Sequence, residues 1–497
     1  MSPASPPEPP RDAPPGAAPV APFAAASPPS PVPVPPSHRA EDHGLDPAPD
    51  WARVARELHG LDVLSQPRQR RALSKDFFWY SPILADELRD CVADLVVRVG
   101  TEEDVRRVAA VAARHRLPLT VRGGGTGNYG QCVPLVGGLV LDMTPMRRVL
   151  DIAPGRVAVQ AGARLYDLEM AVRETGQALR MWPSTWRVAT IAGFIAGGFG
   201  GVGSTLNGVL RDPGNLLRCR VVTVEREPRV LELNGDEIQQ VHHAFGTNGI
   251  LTEVEVALSP AVNWQHVIAL FPHYAQVLDA CIAASTPALE IFLLSAVDRR
   301  FSPYYTTLRQ RFPPDPHAIF AMVAPGSMGA FTQIVRAHGG QISMAMDEAA
   351  VEAAGLPPAY ECAYNHTTLQ VLKVDRGWTN LQVAYPQPFD PAPVLRQMER
   401  FGDDVWQHQE FAKMHGEFAT FAIVLTRWKG LAHQYELIRS IEADGCTIFN
   451  PHVVTIEDGG MKTIDTAQIE FKRRADPMGL MNPGKTRGWH PSMARAG

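Results

Sequence analysis

From Trp51 onward the apolar residues recur with two alternating periods. LVVRVG at Leu95–Gly100 has the composition of a short strand, and Glu102–His115 carries apolar side chains at Val105, Val108, Ala109 and Ala112, the spacing of a buried helix face. LPLTVRGGG then predicts a second strand that runs straight into glycines. A strand, helix, strand, glycine-loop unit of this kind places ligands beyond the strand ends. GLVLDMTPM and RVAVQAGA predict further strands, and ARLYDLEMAVRETG predicts a helix stopped by Gly176. CRVVTVE and VLEL form a hairpin pattern, and HHAFGTNGILTEVEVAL closes in a strand rich in β-branched residues. After Trp264 the pattern changes to long alternating segments such as TNLQVAYP and EFATFAIVLT, with more aromatics and histidines, which predicts a second, mixed α/β domain. The chain closes on KRRADPMGLMNPGK, a helix end followed by a proline and glycine turn.

These patterns divide the sequence into a tail (1–50), a first domain with a helical lead-in (51–262), a second domain (263–450) and a closing segment (451–497). The tail is mostly Pro, Ala and Ser, and with so few large apolar side chains it is expected to be disordered. The 497 residues leave room for more than one core, and a net charge of -5 with interspersed signs argues against nucleic acid as a partner. Six cysteines lie far apart with no CxxC, the pattern of free thiols in a reducing cytoplasm. No apolar run reaches membrane-span length, and the N-terminus lacks a charged leader with an apolar core, so a cytoplasmic location is expected. A homodimer is the base-rate expectation for assembly.

Two glycine-dense segments carry the chemistry: RGGGTGNYGQ at Arg122–Gln131 and TIAGFIAGGFGGVG at Thr190–Gly203. Without a Cβ, successive backbone N–H groups close around a pyrophosphate in turns that other residues enter only with strain. The first segment lacks the lysine and spacing of a P-loop, and the second is not a single GxGxxG followed by a ribose-binding acid. A cofactor larger than a mononucleotide, held at two loops, fits this pair.

The motif order, RGGGTG, alternating strands, a Pro and Thr loop, GGFGGVG, GTNGILTEVEV and a terminal DPMGLMNPGK, resembles the vanillyl-alcohol oxidase or PCMH-type FAD-binding oxidoreductase family, nearest its glycolate oxidase and D-lactate dehydrogenase branch. The resemblance implies an α+β fold, with a two-subdomain PCMH-type FAD-binding domain at 51–262, a mixed α/β substrate domain at 263–450 and a tail that returns to the flavin. It implies FAD contacts at Arg122, Gly123, Gly124, Gly125, Thr126 and Gly127, then at Thr190, Gly193, Gly197, Gly198, Gly200 and Gly201. Gly249 and Ile250 match the segment beside adenine, and Asn482 and Lys485 match a turn at the isoalloxazine ring. Relatives that tether FAD carry a histidine near Gly125 or a cysteine near Val188; neither is present, so the FAD is expected to be non-covalent. Metal-dependent members have a Glu-His-Gly where this chain has Glu457, Asp458 and Gly459, so no metal is expected.

The activity this implies is transfer of hydride from an alcohol or 2-hydroxy-acid C–H bond to flavin N5. An NADPH-dependent flavin reductase and a non-catalytic flavin or electron-transfer protein are the alternatives. The electron acceptor, oxygen, quinone or carrier protein, stays open. A group must take the hydroxyl proton, and His452, His366, Tyr129 and Glu457 are the candidates. Lys373, Arg376 and Asn450 are the candidates for holding a small organic substrate, the two cations by pairing with a carboxylate.

Overall fold

The computed structural model describes residues 32–494. Three sheets follow one another along the chain. The first contains β1 (Asp62–Leu64), β2 (Leu95–Arg98), β3 (Leu119–Arg122) and β4 (Leu139–Asp142) in the order β1-β2-β4-β3, with β4 parallel to both β2 and β3. The helix Glu102–Arg114 connects β2 to β3; it starts on a capping box in which Thr101 and Asp104 satisfy each other's backbone N–H groups. Its buried face is Val105, Val108, Ala109, Val111, Ala112 and Ala113. Because β3 ends at Arg122, the glycines begin where the sheet stops.

The second sheet contains β5 (Val149–Ala153), β6 (Arg156–Gln160), β7 (Gln177–Leu179), β8 (Leu216–Val222), β9 (Val230–Asn234) and β10 (Ile250–Pro260). It runs β5-β6-β10-β8-β9 with β7 on β10, and β8 and β9 pair as the hairpin their sequence predicts. Leu179, Val221, Val254 and Ile191 share one core with Val97, Val108 and Leu141, so the first two sheets form one packed body.

The third sheet is antiparallel in its pairings: β11 (Gln265–Phe271), β12 (Ile291–Val297), β13 (His317–Val323), β14 (Gln341–Asp347), β15 (Trp378–Ala384), β16 (Val405–Trp406), β17 (His408–Met414), β18 (Glu417–Arg427) and β19 (Thr447–Phe449). Its order is β14-β11-β13-β12-β17-β18-β15-β19, with β16 on β18. Helices Tyr274–Ala284, Met328–Ala337, Ala392–Phe401 and Leu431–Glu442 cover one face through Val277, Phe331, Val394 and Ile438.

Residues 1–31 of the expected disordered tail lie outside the described residues. Residues 32–50 depart from that expectation: Leu45 is buried in the main core, and the carbonyls of Gly44 and Val34 accept from Arg116 and Arg487. One large apolar residue and backbone groups captured by arginines are enough to dock a stretch whose composition reads as unstructured.

Candidate active site

A cavity of about 1670 Å³ opens between the glycine loops and the third sheet. It exceeds the ~300–1,000 Å³ usual for a drug-sized ligand, leaving space for a dinucleotide and a substrate together. Gly123, Gly124, Gly125, Thr126 and Gly127 line it from one side, with Thr190, Gly193, Gly197, Gly198, Gly200, Gly201 and Gly249.

The first loop is held by the second. A Cβ on Gly123 would stand 2.0 Å from Thr190 Oγ1, and one on Gly124 would stand 2.3 Å from the Val188 carbonyl. Close approach to the Thr190 side chain at Gly123 and to the Val188 backbone at Gly124 therefore demands glycine here. Among the described residues, the backbone N–H groups from Gly123 to Asn128 donate to no protein acceptor. A row of free N–H groups beside a large cavity suits an anion such as a pyrophosphate. The buried Thr190 hydroxyl and Asn128 amide nitrogen also lack protein partners and belong to the same lining. These unsatisfied donors are what FAD would satisfy, so the residues present fit it.

Asp76 was not singled out by sequence. It is buried beside Gly127 with Oδ2 unpartnered, while the following residue donates from Phe77 N to the Gly127 carbonyl at 2.7 Å. Burial raises its carboxyl to about 6 against the pull of Lys485 and Arg122. Burial likewise lowers the Lys485 ammonium to about 8, opposed by Asp76.

The closing segment works from behind the loop. Asn482, in a left-handed conformation that asparagine tolerates, donates from Nδ2 to the carbonyls of Gln131 and Phe245 at 2.7 and 2.6 Å. Lys485, fully buried, donates to the Gly130 carbonyl at 2.6 Å. Lys472 and Asp476 pair at 2.6 Å, and Asp476 also accepts from the backbone of Leu480 and Met481. Neither Asn482 nor Lys485, expected at the flavin ring, lines the cavity; both brace the glycine loop that does. Arg122 and Ile250 also lie outside the lining; the Arg122 guanidinium donates to the Lys75 carbonyl and to Cys132 Sγ at 2.5 and 3.4 Å.

The opposite wall comes from the third sheet and the helix Asn365–Leu372. Strand alternation turns Glu410, Ala412 and Met414 of β17 to the cavity and Phe411 to the helix-covered core. Glu410, 2% exposed, accepts from Tyr364 N at 2.6 Å, contacts His408 Nε2 at 2.8 Å and takes the Ser295 hydroxyl. Tyr364 holds φ 50°, ψ -142°, an unfavourable backbone for a residue with a Cβ, fixed by that bond and by its hydroxyl on the Gly201 carbonyl at 2.7 Å. The third sheet is thereby tied to the second glycine loop.

Of the four residues expected from the sequence to move the proton, His366 and Tyr129 reach the cavity with their polar groups free of the closing segment. His366 Nδ1 lies 2.8 Å from Glu361. The Tyr129 hydroxyl is buried and faces Gln382 without a formed bond. Glu457 reaches the lining but accepts from Thr486 Oγ1 and Arg487 N at 2.5 and 2.9 Å, which ties it to the closing segment. His452 stands apart, buried with Nδ1 2.7 Å from Ser81 Oγ, and burial lowers it to about 3. Asn450 packs beside it, accepting from His452 N at 3.0 Å, away from the lining. Arg376 stacks on Trp79 at 4.1 Å and Lys373 is exposed, and neither lines the cavity. The signal that could have found Glu410 is its place in the alternation of β17; nothing local in sequence marks the register that brings it to the glycine loops.

A family profile described as FAD binding domain matches residues 93–228. The glycolate oxidase subunit GlcD of Bacillus subtilis is 30% identical over 216 residues, covering 40% of this chain and 45% of its own length. The D-lactate dehydrogenase of Archaeoglobus fulgidus is 27% identical over 210 residues, covering 40% and 46%. The matched stretch thus spans less than half the length of these relatives. Among solved structures, alkyldihydroxyacetonephosphate synthase superposes with a TM-score of 0.66 at 15% identity, covering 90% of this chain and 87% of the other. Physcomitrella patens BBE-like 1 gives 0.62 at 13%, covering 88% and 99%. The fold is α+β of the PCMH type, the resemblance drawn from the motifs holds, and FAD is the cofactor. Among the described residues no helix is long and apolar enough to cross a membrane.

Proposed function

We propose that this chain is an FAD-dependent oxidoreductase that takes a hydride from a C–H bond bearing a hydroxyl on a small organic substrate. The observation that carries the reading is one cavity with unsatisfied backbone donors on its glycine side and positioned polar side chains on the other. The names of the relatives, glycolate oxidase and D-lactate dehydrogenase, support the same bond type. When bound, FAD supplies the hydride acceptor at flavin N5.

His366 is the residue we assign to take the hydroxyl proton as the C–H bond gives up hydride and a carbonyl forms. The Glu361 carboxylate lies 2.8 Å from its Nδ1 without a formed hydrogen bond, a negative charge that would stabilise the protonated ring once it takes the proton. Tyr129 and Gln382 present a hydroxyl and an amide that position the reacting oxygen. Phe421, Ile423 and Leu369 keep the surroundings apolar and exclude water. The cofactor is held without a covalent bond: Gly125 has no side chain, Val188 points to solvent, and burial raises the lining thiols Cys132 and Cys446 to about 11 and about 12. A thiol so far from ionisation is a poor nucleophile.

The test is anaerobic mixing of the FAD-loaded protein with a panel of alcohols and hydroxy acids while the flavin absorbance is followed. Bleaching by at least one donor supports the reading; an unreduced flavin across the panel, with dithionite still able to bleach it, contradicts it.

A further inference from the structure

The charge of the cavity bears on what enters it. Six carboxyl side chains line it, Asp76, Glu410, Glu417, Glu442, Glu457 and Asp465, against two basic ones, Arg211 and Lys462. The third sheet and its helices contribute three of the glutamates and, among the described residues, neither a lysine nor an arginine. The two cations sit at one end. Lys462 donates to the His242 carbonyl at 2.9 Å, and Lys462 and Arg211 are both felt by His243. Asn248 and Gly249 line the cavity close in sequence to His243. Glu410 marks the other end of β17: Met414, four residues further along, packs on Val209 near Arg211, a separation of about 13 Å along a strand. Bound FAD would add its own phosphate charge to this balance.

We infer that the substrate is an alcohol without a carboxylate, uncharged or cationic, rather than a 2-hydroxy acid. A carboxylate brought against the third sheet would meet Glu410, 2% exposed and already bonded by Tyr364 N and the Ser295 hydroxyl beside His408, with no guanidinium or ammonium on that wall, among the described residues, to receive it. A hydroxyl meets acceptors and donors it can satisfy at Gln382, Tyr129 and His366. The lysine and arginine expected from sequence to pair with a substrate acid, Lys373 and Arg376, lie outside the cavity. This inference rests on the alcohol-oxidising reading above and narrows it.

The experiment uses the FAD-loaded protein under anaerobic conditions with matched pairs, glycolate against ethylene glycol and D-lactate against propane-1,2-diol. Affinity is read from perturbation of the flavin spectrum, and reduction from its bleaching. The expected result is at least about tenfold tighter binding of the neutral member, a preference that Glu410→Gln narrows. Equal or tighter binding of the carboxylates overturns the inference. Spectral perturbation without bleaching by either member would count against alcohol oxidation while the affinity ratio still decides the charge question. A second measurement needs no substrate: iodide should quench the bound flavin's fluorescence less than acrylamide does, and Glu410→Gln should raise the iodide value. Equal access for the two quenchers, unchanged in the variant, overturns it as well.

Discussion

The two walls of the cavity solve the same positioning problem with different materials. The cofactor wall is backbone: free N–H groups from Gly123 to Asn128, kept in place by Thr190, Asn482 and Lys485. The wall proposed to meet substrate is side chain, Glu410, Gln382, Tyr364 and His366, placed by strand alternation and one strained residue. A backbone wall tolerates no added Cβ yet carries little chemistry of its own. A side-chain wall can change its chemistry by one substitution while the sheet beneath it stands. In the function proposed above, the first kind binds a fixed cofactor and the second chooses the substrate.

If that contrast holds, the largest loss of rate should come from the side-chain wall. His366→Gln is expected to slow flavin reduction about 10²–10⁴-fold with FAD affinity unchanged, measured by stopped-flow bleaching. The largest loss of stability should come from behind the cofactor wall. Lys485→Met removes the buried ammonium that donates to the Gly130 carbonyl, leaving that acceptor unpaired, and should cost about 1–3 kcal/mol in denaturant unfolding. On the wall itself, Gly124→Ala forces a Cβ against the Val188 carbonyl, and an overpacking cost of about 1–3 kcal/mol should appear as weaker FAD binding in a fluorescence titration. Gly329→Ala, where a Cβ meets nothing within 4 Å, should bind FAD as the parent does.

Acid should weaken both bodies alike. His243 beside the glycine loops and His452 beneath the third sheet both have folded-state pKa values lowered by burial from 6.5 to about 3. A lowered value means the neutral ring is the stable folded form, so stability is full above pH 6.5 and is lost as pH falls toward 3. Each should cost about 1.4 kcal/mol per pH unit over that window, and His452→Gln should remove one such contribution from the pH dependence of unfolding. The smallest effect belongs to the outward cations. Arg376→Ala and Lys373→Ala should leave substrate affinity within about twofold, the former losing only its stacking on Trp79.

Sequence made the cofactor wall legible because its requirement is local. Glycine runs at strand ends mean backbone geometry, and β3 runs into Gly123 where the strand pattern places it, whereas the helix Ile191–Gly197 stands inside a segment read from the sequence only as a glycine loop. The closing motif was legible as a motif: DPMGLMNPGK returns to the first loop, where Asn482 and Lys485 grip its carbonyls from outside the cavity. A motif signals that a turn returns, not which of its sides faces the ligand. The substrate wall was least legible. Glu410 and Gln382 reach the cavity through the register of β17 on β18 and β15 on β18, a long-range property no local window contains. His452 and Asn450 sat close in sequence to the right segment, yet they fill the core near Ser81 instead.

The most direct measurement is the visible spectrum of the purified, FAD-reconstituted protein before and after acid precipitation. The expected result is about one flavin per chain, released into the supernatant as free FAD. Colour retained in the pellet would contradict non-covalent binding and turn attention to His243, His366 and His415 of the lining, and failure to take up FAD at all would contradict the cavity's assignment.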